Sequence, residues 1–387
     1  MEVKKLKECC TIIAGQSPES KYYNSNGDGL PFFQGKADFG ELYPSIRVYC
    51  SQPTKMAEKD DILLSVRAPV GPTNLAPCKV CIGRGLTAIR PSEVLLTRYV
   101  LLFFRYFEAQ LASKGTGTTF KAITQDVVKN LEIPIPPLPE QERIVARIEE
   151  LFSQLDAGVE TLKKTKAQLS VYRQAAITEA FSVENNTPNV CLSDIAQIIG
   201  GITKGRDLSG TETIELPYLR VANVQNGYLD LSEIKTIKLR VDEKERYLLK
   251  PGDVLYTEGG DRDKLGRGTV WRGEIKDCVH QNHIFKARVD QSKAIPVYVA
   301  LWSMSTPARN YFYQKGKQSV NLASINKTVL SALTLPLPTL EKQREIINHI
   351  ESRLSVCDSI EQTVDTALQQ AEAMRQSILK DAFEGRL

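Results

Sequence analysis

The sequence predicts an α+β protein in which two similar mixed α/β domains are joined by two long helices that form an antiparallel intramolecular coiled coil. The first observation is a repeat: eight residues between Leu138 and Phe181 return 202 positions later, between Leu340 and Phe383. The second is a heptad pattern inside both copies, and the third is a stretch of short β-like segments before each copy. Because the repeat distance far exceeds the roughly 20–50 residues of solenoid repeats, it indicates a tandem duplication of a domain plus a helix.

The elements of each predicted domain follow the same order. Short β-like runs, such as 62–66 and 254–256, lie between turn-forming Gly, Asn and Asp residues. A more helical stretch follows, at 96–111 or 297–313, and ends in a Lys-Gly loop. A proline-rich segment then leads into the long helix, and it is predicted to be a stiff elbow because proline is excluded from helix interiors. The predicted boundaries are 1–136 for the first domain, 137–185 for the first helix, 186–337 for the second domain and 338–387 for the second helix.

Both predicted helices carry apolar residues at steps of seven. These residues are Ile148, Leu155, Leu162, Leu169 and Ala176 in the first helix, and Ile350, Cys357, Val364, Ala371 and Ile378 in the second. Such a stripe must be buried, and a heptad repeat sustained over several turns is typical of a coiled coil. Since the first helix leads from domain one to domain two, the second can pack beside it only by running back. Homodimerisation through separate helices is the alternative.

Composition and charge limit the class of protein. The chain has 387 residues, of which 42% are hydrophobic and 25% charged, as in ordinary globular proteins. No apolar run is long enough for a membrane span and the start lacks a signal-peptide pattern, so we expect a cytoplasmic protein with eight reduced cysteines. The helical segments 140–181 and 341–384 carry a net charge of −5, which leaves +9 for the rest of the chain. That distribution favours nucleic-acid contact, with simple solubility as the alternative.

Catalytic motifs are missing. The sequence contains neither a phosphate-binding P-loop nor the Asn/Asp-Pro-Pro-Tyr/Phe motif expected of an adenine methyltransferase. Cys78 and Cys81, or Cys278 with the nearby histidines, could suggest a metal, but no second pair at ligand spacing accompanies them. Asp263, Glu274 and Lys276 give a short nuclease-like pattern, which stays a minor alternative. We therefore predict a non-catalytic protein without a metal site or cofactor of its own.

Two segments resemble a known family. Residues 136–145 read PPLPEQERIV and are followed by the Ala180-Phe181 ending, while 340–347 read LEKQREII and are followed by 380–387, KDAFEGRL. These segments resemble the conserved regions of specificity subunits of type I restriction-modification systems. The second copy departs from the first at Glu341-Lys342, but Gln343 and the heptad phase are retained.

The resemblance implies a function in DNA recognition. Each domain would be a target recognition domain that reads one half of a bipartite, asymmetric double-stranded DNA target. The helices would set the gap between the half-sites and dock two modification (methyltransferase) subunits, which restriction (translocase and nuclease) subunits would join. S-adenosylmethionine, ATP and Mg would belong to those partner subunits. A two-headed protein scaffold that does not read DNA is the competing function.

Candidate contact residues were chosen for side chains that can read base edges or bind phosphate. The DNA-binding candidates are Lys21, Tyr22, Tyr23, Gln34, Lys36, Arg67, Lys114, Thr116, Thr118 and Thr119 in the first domain, and Lys204, Arg206, Arg220, Asn223, Gln225, Arg262, Lys264, Lys315, Lys317, Gln318 and Asn321 in the second. The partner-docking candidates are Gln141, Val145, Phe152, Gln343 and Ile347.

Overall fold

The structure is a computed structural model that describes residues 2–115, 122–182, 187–318 and 323–387, with the backbone alone described at positions 263 and 318. The chain forms two compact units. Unit 1 comprises Met1–Leu162 and Thr366–Leu387, and unit 2 comprises Lys163–Asp365. The division falls inside both long helices, so each unit contains a part of each helix.

The described residues of unit 1 form three sheets. Its strands are β1 (Glu2–Lys5), β2 (Cys10–Ala14), β3 (Tyr23–Asn24), β4 (Leu30–Phe33), β5 (Tyr49–Cys50), β6 (Met56–Ala57), β7 (Ile62–Ser65), β8 (Thr73–Leu75), β9 (Val80–Ile82), β10 (Leu86–Pro91) and β11 (Glu132–Ile135). The strand orders are β1-β11, β2-β10-β7-β8 and β3-β5-β4-β9-β6, and every pairing is antiparallel except β4 with β9. Its shorter helices are α1 (Leu6–Cys9), α2 (Thr97–Ser113) and α3 (Gln125–Lys129), and α4 (Leu138–Ala180) is the first long helix.

Unit 2 repeats this plan with differences at the periphery. Its strands are β12 (Asn189–Cys191), β13 (Ala196–Gly200), β14 (Thr213–Leu219), β15 (Lys235–Arg240), β16 (Asp253–Thr257), β17 (Gly259–Gly260), β18 (Gly268–Val270), β19 (Val279–His280), β20 (Ile284–Val289), β21 (Lys317–Gln318), β22 (Ala323–Ser324) and β23 (Thr334–Pro336). The orders β12-β23 and β13-β20-β16-β18 match those of unit 1, and β15-β14-β19 and β17-β22-β21 complete the unit. Its helices are α5 (Leu192–Ile195), α6 (Lys244–Tyr247), α7 (Pro296–Met304), α8 (Thr306–Lys315), α9 (Lys327–Ser331) and the long α10 (Leu340–Phe383).

The predicted helix at 297–313 is two helices, which corrects that expectation. Ser305, between α7 and α8, has an extended backbone, and Pro307 lies in the first turn of α8. Proline has no N–H to donate and its ring collides with the carbonyl four residues earlier, so one continuous helix cannot pass through this position. The matching helix of unit 1, α2, contains no proline and is unbroken.

The long helices pair antiparallel within each unit. In unit 2 the Nζ atom of Lys166 lies 2.6 Å from Asp365 and Arg173 donates to Glu361 at 3.0 Å. In unit 1 Arg375 pairs with Asp156 and lies over the ring of Phe152. The partner's residue number falls as the number on α4 rises, as antiparallel packing requires. The predicted fold class is confirmed.

The main core of each unit lies between its four-stranded sheet, its helices and its part of the helix pair. In unit 1, Ile144 and Ile148 of α4 and Leu379 and Ala382 of α10 pack against β7, β10 and α2. In unit 2, Ile177 and Ala180 of α4 and Ile347 and Ile350 of α10 occupy the matching places. The apolar stripes therefore bury against their own domain as well as against each other.

Candidate nucleic-acid interface

Gln141 and Gln343 fix the elbows at which the long helices begin. Both side chains are fully buried. The Oε1 atom of Gln141 accepts from the backbone N–H of Leu96 at 2.8 Å, and its Nε2 donates to the carbonyls of Val94 and Pro136, both at 2.8 Å. Gln343 repeats the arrangement with the N–H of Ile295 at 2.8 Å and the carbonyls of Lys293 and Pro338 at 3.2 and 2.9 Å.

The five residues predicted to dock partner subunits do not form an exposed surface, which corrects that prediction. Gln141 and Gln343 have their amide groups bonded to their own chain. Val145 and Phe152 belong to the buried core of unit 1, and Ile347 belongs to that of unit 2. A buried side chain cannot contact a partner without unfolding its own domain. The apolar positions that flank the heptad stripe are explained by burial against the domain.

In unit 1, the predicted DNA contacts lie in two places. Tyr22 and Tyr23 are half-buried, and Tyr23 begins β3 of the five-stranded sheet, where it stacks on Phe32 and donates its hydroxyl hydrogen to the carbonyl of Pro18 at 2.9 Å. Lys21 is exposed and pairs with Glu19 at 2.6 Å. Gln34 and Lys36 are exposed just after β4.

The second place in unit 1 is the end of the four-stranded sheet. Arg67 is exposed there, and its backbone forms a β-bridge with Ala122. The exposed side chain of Lys114 stands over the ring of Phe107 at the end of α2. Thr116, Thr118 and Thr119 lie outside the described residues. Arg67 thus lies beside Ala122, the first described residue after the Lys114-Gly115 pair.

In unit 2, several predicted contacts are bonded within the chain. Arg206 donates twice to Glu243, at 2.8 and 2.9 Å, and Arg220 pairs with Glu233 at 3.0 Å. Asn223 is buried and corrects its prediction: its Oδ1 accepts from the N–H of Arg220, and its Nδ2 donates to two carbonyls. These bonds close a loop and leave the amide nothing to offer DNA. Lys204 is exposed.

The remaining candidates of unit 2 lie around β17, β21 and β22. Arg262 stands over the ring of Tyr313, 4.4 Å from its centroid, and its Nε donates to the Tyr313 carbonyl at 3.2 Å. Lys264 is exposed and pairs with Asp261. Lys315 ends α8, and Lys317 on β21 is joined to β17 through β22. The side chain of Gln318 and all of Asn321 lie outside the described residues.

Three polar residues at the same end of the four-stranded sheet of unit 2 were missed by the sequence analysis as contact candidates. Glu258 follows β16, His283 precedes β20 and Arg267 precedes β18, so neighbouring strands carry them to one edge. The Nδ1 of His283 donates to Glu258 Oε2 at 2.6 Å, and Arg267 donates to Gln225 Oε1 at 2.9 Å. Only the paired strands bring these distant residues together, and the sequence gives no signal of that register.

The backbone at this edge is the same in the two units. Glu258 donates its N–H to the carbonyl of His283 at 2.9 Å, and Val66 donates to Gly85 at 2.9 Å. The carbonyl of Glu258 accepts from Ile325 at 2.8 Å, and that of Val66 accepts from Ile123 at 3.0 Å. Equivalent positions therefore carry a carboxylate and an imidazole in unit 2 but an isopropyl group and a glycine in unit 1.

A family model for the type I restriction modification DNA specificity domain matches residues 1–170 and again residues 185–370. The chain belongs to this family. The resemblance seen in the sequence is confirmed, and the two matches correspond to the two copies of the duplicated unit. A specificity subunit recognises DNA sequence for its restriction-modification system.

Individual specificity subunits show the same relationship. One assigned to the type I restriction enzyme MjaX of Methanocaldococcus jannaschii is 42% identical over 159 residues, which is 41% of this chain and 36% of that protein. The StySPI specificity subunit of Salmonella potsdam is 26% identical over 331 residues, covering 80% of this chain and 70% of the relative. The crystal structure of the HsdS subunit from Thermoanaerobacter tengcongensis is 19% identical, covers 100% of this chain and 97% of that one, and superposes with a TM-score of 0.52, which supports the fold.

The candidate metal ligands of this specificity-family chain do not gather into a site. His280 is fully buried beside Lys286, with its ring nitrogens 3.2 and 3.5 Å from the carbonyls of Tyr247 and Ile199, and burial lowers its pKa to about 4. Burial also raises the pKa of the Cys278 thiol to about 12. Across the described ranges, no group of three or more His, Cys, Asp or Glu residues could hold a metal ion. Among the same residues, no helix is long and apolar enough to cross a membrane.

The long helices offer apolar surface outside their buried stripes. In unit 2, Val171 and Val356 expose 71% and 58% of their surface, and Tyr172 and Ile360 are also exposed. The pairing of Arg173 with Glu361 places these residues in the same stretch of the helix pair. In unit 1, Met374 of α10 is exposed. These side chains replace the buried residues as candidates for a docking surface.

Proposed function

We propose that this chain is the DNA-reading subunit of a type I restriction-modification complex and that each unit reads one half of a bipartite, asymmetric target. The observation that carries the proposal is the double match to the DNA specificity family, one match for each copy of the duplicated fold. Each copy keeps its own buried Gln elbow and its own sheet edge. The two units share one backbone fold but carry different side chains at their sheet edges, which suits a DNA target whose two halves differ in sequence.

The helix pair has two tasks in this proposal. It sets the distance between the half-sites, because neither α4 nor α10 is interrupted by proline after its first turn. It also docks two modification subunits, for which the exposed Val171, Tyr172, Val356 and Ile360 are the candidate contacts. Apolar side chains left exposed on one stretch of surface are typical of protein interfaces.

Chemistry belongs to the partners in this proposal. The modification subunits bind S-adenosylmethionine and methylate adenine, and restriction subunits supply ATP- and Mg-dependent translocation and cleavage. The chain itself recognises DNA and catalyses nothing. The exposed cations Arg67, Lys114, Lys204, Lys264 and Lys317 are suited to phosphate contact.

Adenine-methylation mapping tests the proposal. A methylation-free host receives this gene together with the gene of its modification subunit, and a second strain receives the modification gene alone. We expect one gapped, asymmetric motif that requires this gene. Methylation that is absent, or unchanged without the gene, would contradict the proposal.

A measurement of DNA binding distinguishes the proposed function from the alternative, a two-headed scaffold that binds only proteins. Duplex-DNA affinity of the assembled complex is measured from low to high salt, because phosphate contacts release counterions and make affinity fall steeply with ionic strength. A scaffold that binds only proteins would have no salt-dependent affinity for duplex DNA.

A further inference from the structure

The edge where Glu258 and His283 meet is built to hold an imidazole in one orientation. Their backbones are joined by a hydrogen bond of 2.9 Å, and the side chains add the 2.6 Å bond from His283 Nδ1 to Glu258 Oε2. The His283 side chain is 55% exposed, whereas that of Glu258 is 28% exposed. The carboxylate is thus the sheltered partner, and the ring is the part that faces outward.

The hydrogen bond also determines the chemistry of the ring. A carboxylate has no hydrogen to give, so Nδ1 is the donor of this bond. In the neutral form of the ring, the proton is then on Nδ1 and the Nε2 atom is a hydrogen-bond acceptor. Fixing a tautomer through the hydrogen bond of the other ring nitrogen is a general property of histidine.

The surroundings suit a nucleic-acid base. His283 and Glu258 line a cavity of about 490 Å³ together with Val221, Gly259, Gly260, Ala323 and Ser324. The two glycines carry no side chain that could cover the imidazole. Arg267, held by Gln225, immediately precedes the neighbouring strand β18 at the same edge, and Lys317 lies two strands from Gly259. Cations of this kind hold the phosphate backbone while neighbouring side chains reach base edges.

The Glu258–His283 pair of unit 2 has no counterpart in unit 1, which favours a role in sequence specificity over a role in the shared fold. Val66 and Gly85 occupy the same backbone positions in unit 1 with the same main-chain hydrogen bonds. The Glu–His pair is therefore not needed to form this edge of the sheet. Under the proposed function, the two units must differ in the DNA sequence that they read. The Glu258–His283 pair differs between otherwise equivalent positions of the units and is suited to that purpose.

We propose that His283 is a specificity-determining residue of unit 2: its Nε2 accepts a hydrogen bond from the exocyclic amino group of an adenine or a cytosine in the major groove, and Glu258 positions the ring. Those two amino groups are the donors that base pairs present in that groove. This inference rests on the proposed function and adds the residue and the class of base that it reads.

The test uses the assembled complex of full-length chain and modification subunits. Adenine-methylation motifs are compared for the wild type, His283→Ala, Glu258→Gln and the exposed-residue control Lys238→Ala. We expect both site variants to relax the same single position of one half-site and to leave the other half-site unchanged. The amide of glutamine can donate as well as accept, so Glu258→Gln releases the tautomer while keeping the ring.

Duplex binding covers the case in which a variant no longer methylates. Duplexes that replace one adenine or cytosine of the wild-type target at a time are compared. At one of these positions the wild-type complex should prefer the amino-bearing base by about 5- to 150-fold, as one specific base contact contributes. Both variants should lose this preference and keep their affinity for other substitutions.

The outcomes separate the two claims. A variant motif identical to the wild-type motif at every position, or a loss spread evenly over all positions, would overturn the role of His283 and leave the proposed function standing. A wild-type complex without any gene-dependent motif would instead overturn the proposed function.

Discussion

Asp253 accepts two hydrogen bonds from the guanidinium of Arg288, from Nε and Nη2, each at 2.8 Å. Asp61 and Arg90 form the same two-bond pair in unit 1, at 2.8 and 2.7 Å. Both carboxylates are almost completely buried, and each also accepts a backbone N–H at 2.8 Å, Asp253 from Lys250 and Asp61 from Glu58. The pair closes the start of a central strand in each unit, so it belongs to the shared architecture and not to recognition.

Replacing Asp253 by alanine should destabilise unit 2 strongly. The substitution removes the carboxylate partner of the half-buried Arg288, which keeps only its bond to the Leu248 carbonyl, and the acceptor of the Lys250 N–H. Removing one partner of such a pair costs about 3 kcal/mol in free energy of unfolding. Urea denaturation followed by circular dichroism measures the loss. Asp290→Ala is the control, because that carboxylate is exposed and should cost less than about 1 kcal/mol. Equal losses in the two variants would contradict the assigned role.

The buried His280 should make the protein less stable in mild acid. Its pKa in the folded chain is about 4, lowered by burial and by Lys286 and opposed by Asp253, whereas histidine ordinarily titrates near 6.5. Below pH 6.5 the unfolded chain takes up a proton that the folded chain refuses, so acid favours unfolding. The loss should develop between pH 6.5 and 4 and reach about 3 kcal/mol.

Urea midpoints measured at several pH values check this prediction. His280→Gln should be less stable at neutral pH but should lose less stability on acidification. His349→Gln removes an exposed histidine and should keep the wild-type profile. A His280→Gln profile as steep as that of the wild type would show that another group causes the acid sensitivity.

Arg262 should contribute to DNA affinity without contributing to specificity. The ring and the carbonyl of Tyr313 hold its guanidinium, and we propose that this orients the cation toward DNA. Arg262→Ala should weaken binding to all duplexes alike and lower the salt slope by about one. Salt-dependent titrations with cognate and non-cognate duplexes measure both effects. A change in the methylated motif would assign Arg262 to base reading instead.

Charges on the exposed helix surface should block assembly without unfolding the chain. The double variant Tyr172→Glu, Val356→Glu should weaken capture of the modification subunit by about tenfold or more, as for residues at the centre of an interface. Gln168→Glu adds a charge at an exposed polar position of α4 and should assemble normally. Size-exclusion chromatography and thermal melts read both properties. Normal assembly of the double variant would remove this surface from the proposal.

The same substitution at Phe152 or Ile347 should have a different result. Both side chains are buried in a domain core, and a charge placed there lacks a partner and solvent. We expect such variants to lose folding cooperativity in the thermal melt before any effect on assembly can be measured.

The sequence predicted the features that repeat at constant spacing. The duplication, the proline elbows and the heptad stripes are local patterns, and the structure has two units with paired helices to match. It did not predict the burial of Gln141, because its partners Val94 and Leu96 lie more than forty positions away and an isolated glutamine at a helix start looks like a surface residue. Phe152 was misjudged for a related reason, since the heptad pattern does not reveal that a third surface covers the helix pair.

The candidate site was predictable only in part. Cationic loops could be chosen by composition, and Arg67 and Arg262 do lie at the ends of their sheets. The pair of Glu258 and His283 depends on strand register, which places residues 25 positions apart at hydrogen-bond distance. Asn223 shows the opposite error: an amide suited to reading adenine closes a turn in its own backbone.

The core of unit 1 has a consequence for synthesis. Leu379 and Ala382 complete that core, yet they leave the ribosome after the whole of unit 2. The amino-terminal domain, although made first, must wait with an open apolar face until the last helix returns to it. Unit 2 takes its share of α10 from residues 340–365 and can close earlier. The order of translation and the order of completion are therefore reversed, and during that interval the unfinished domain is the part of the nascent chain that a chaperone would most readily bind.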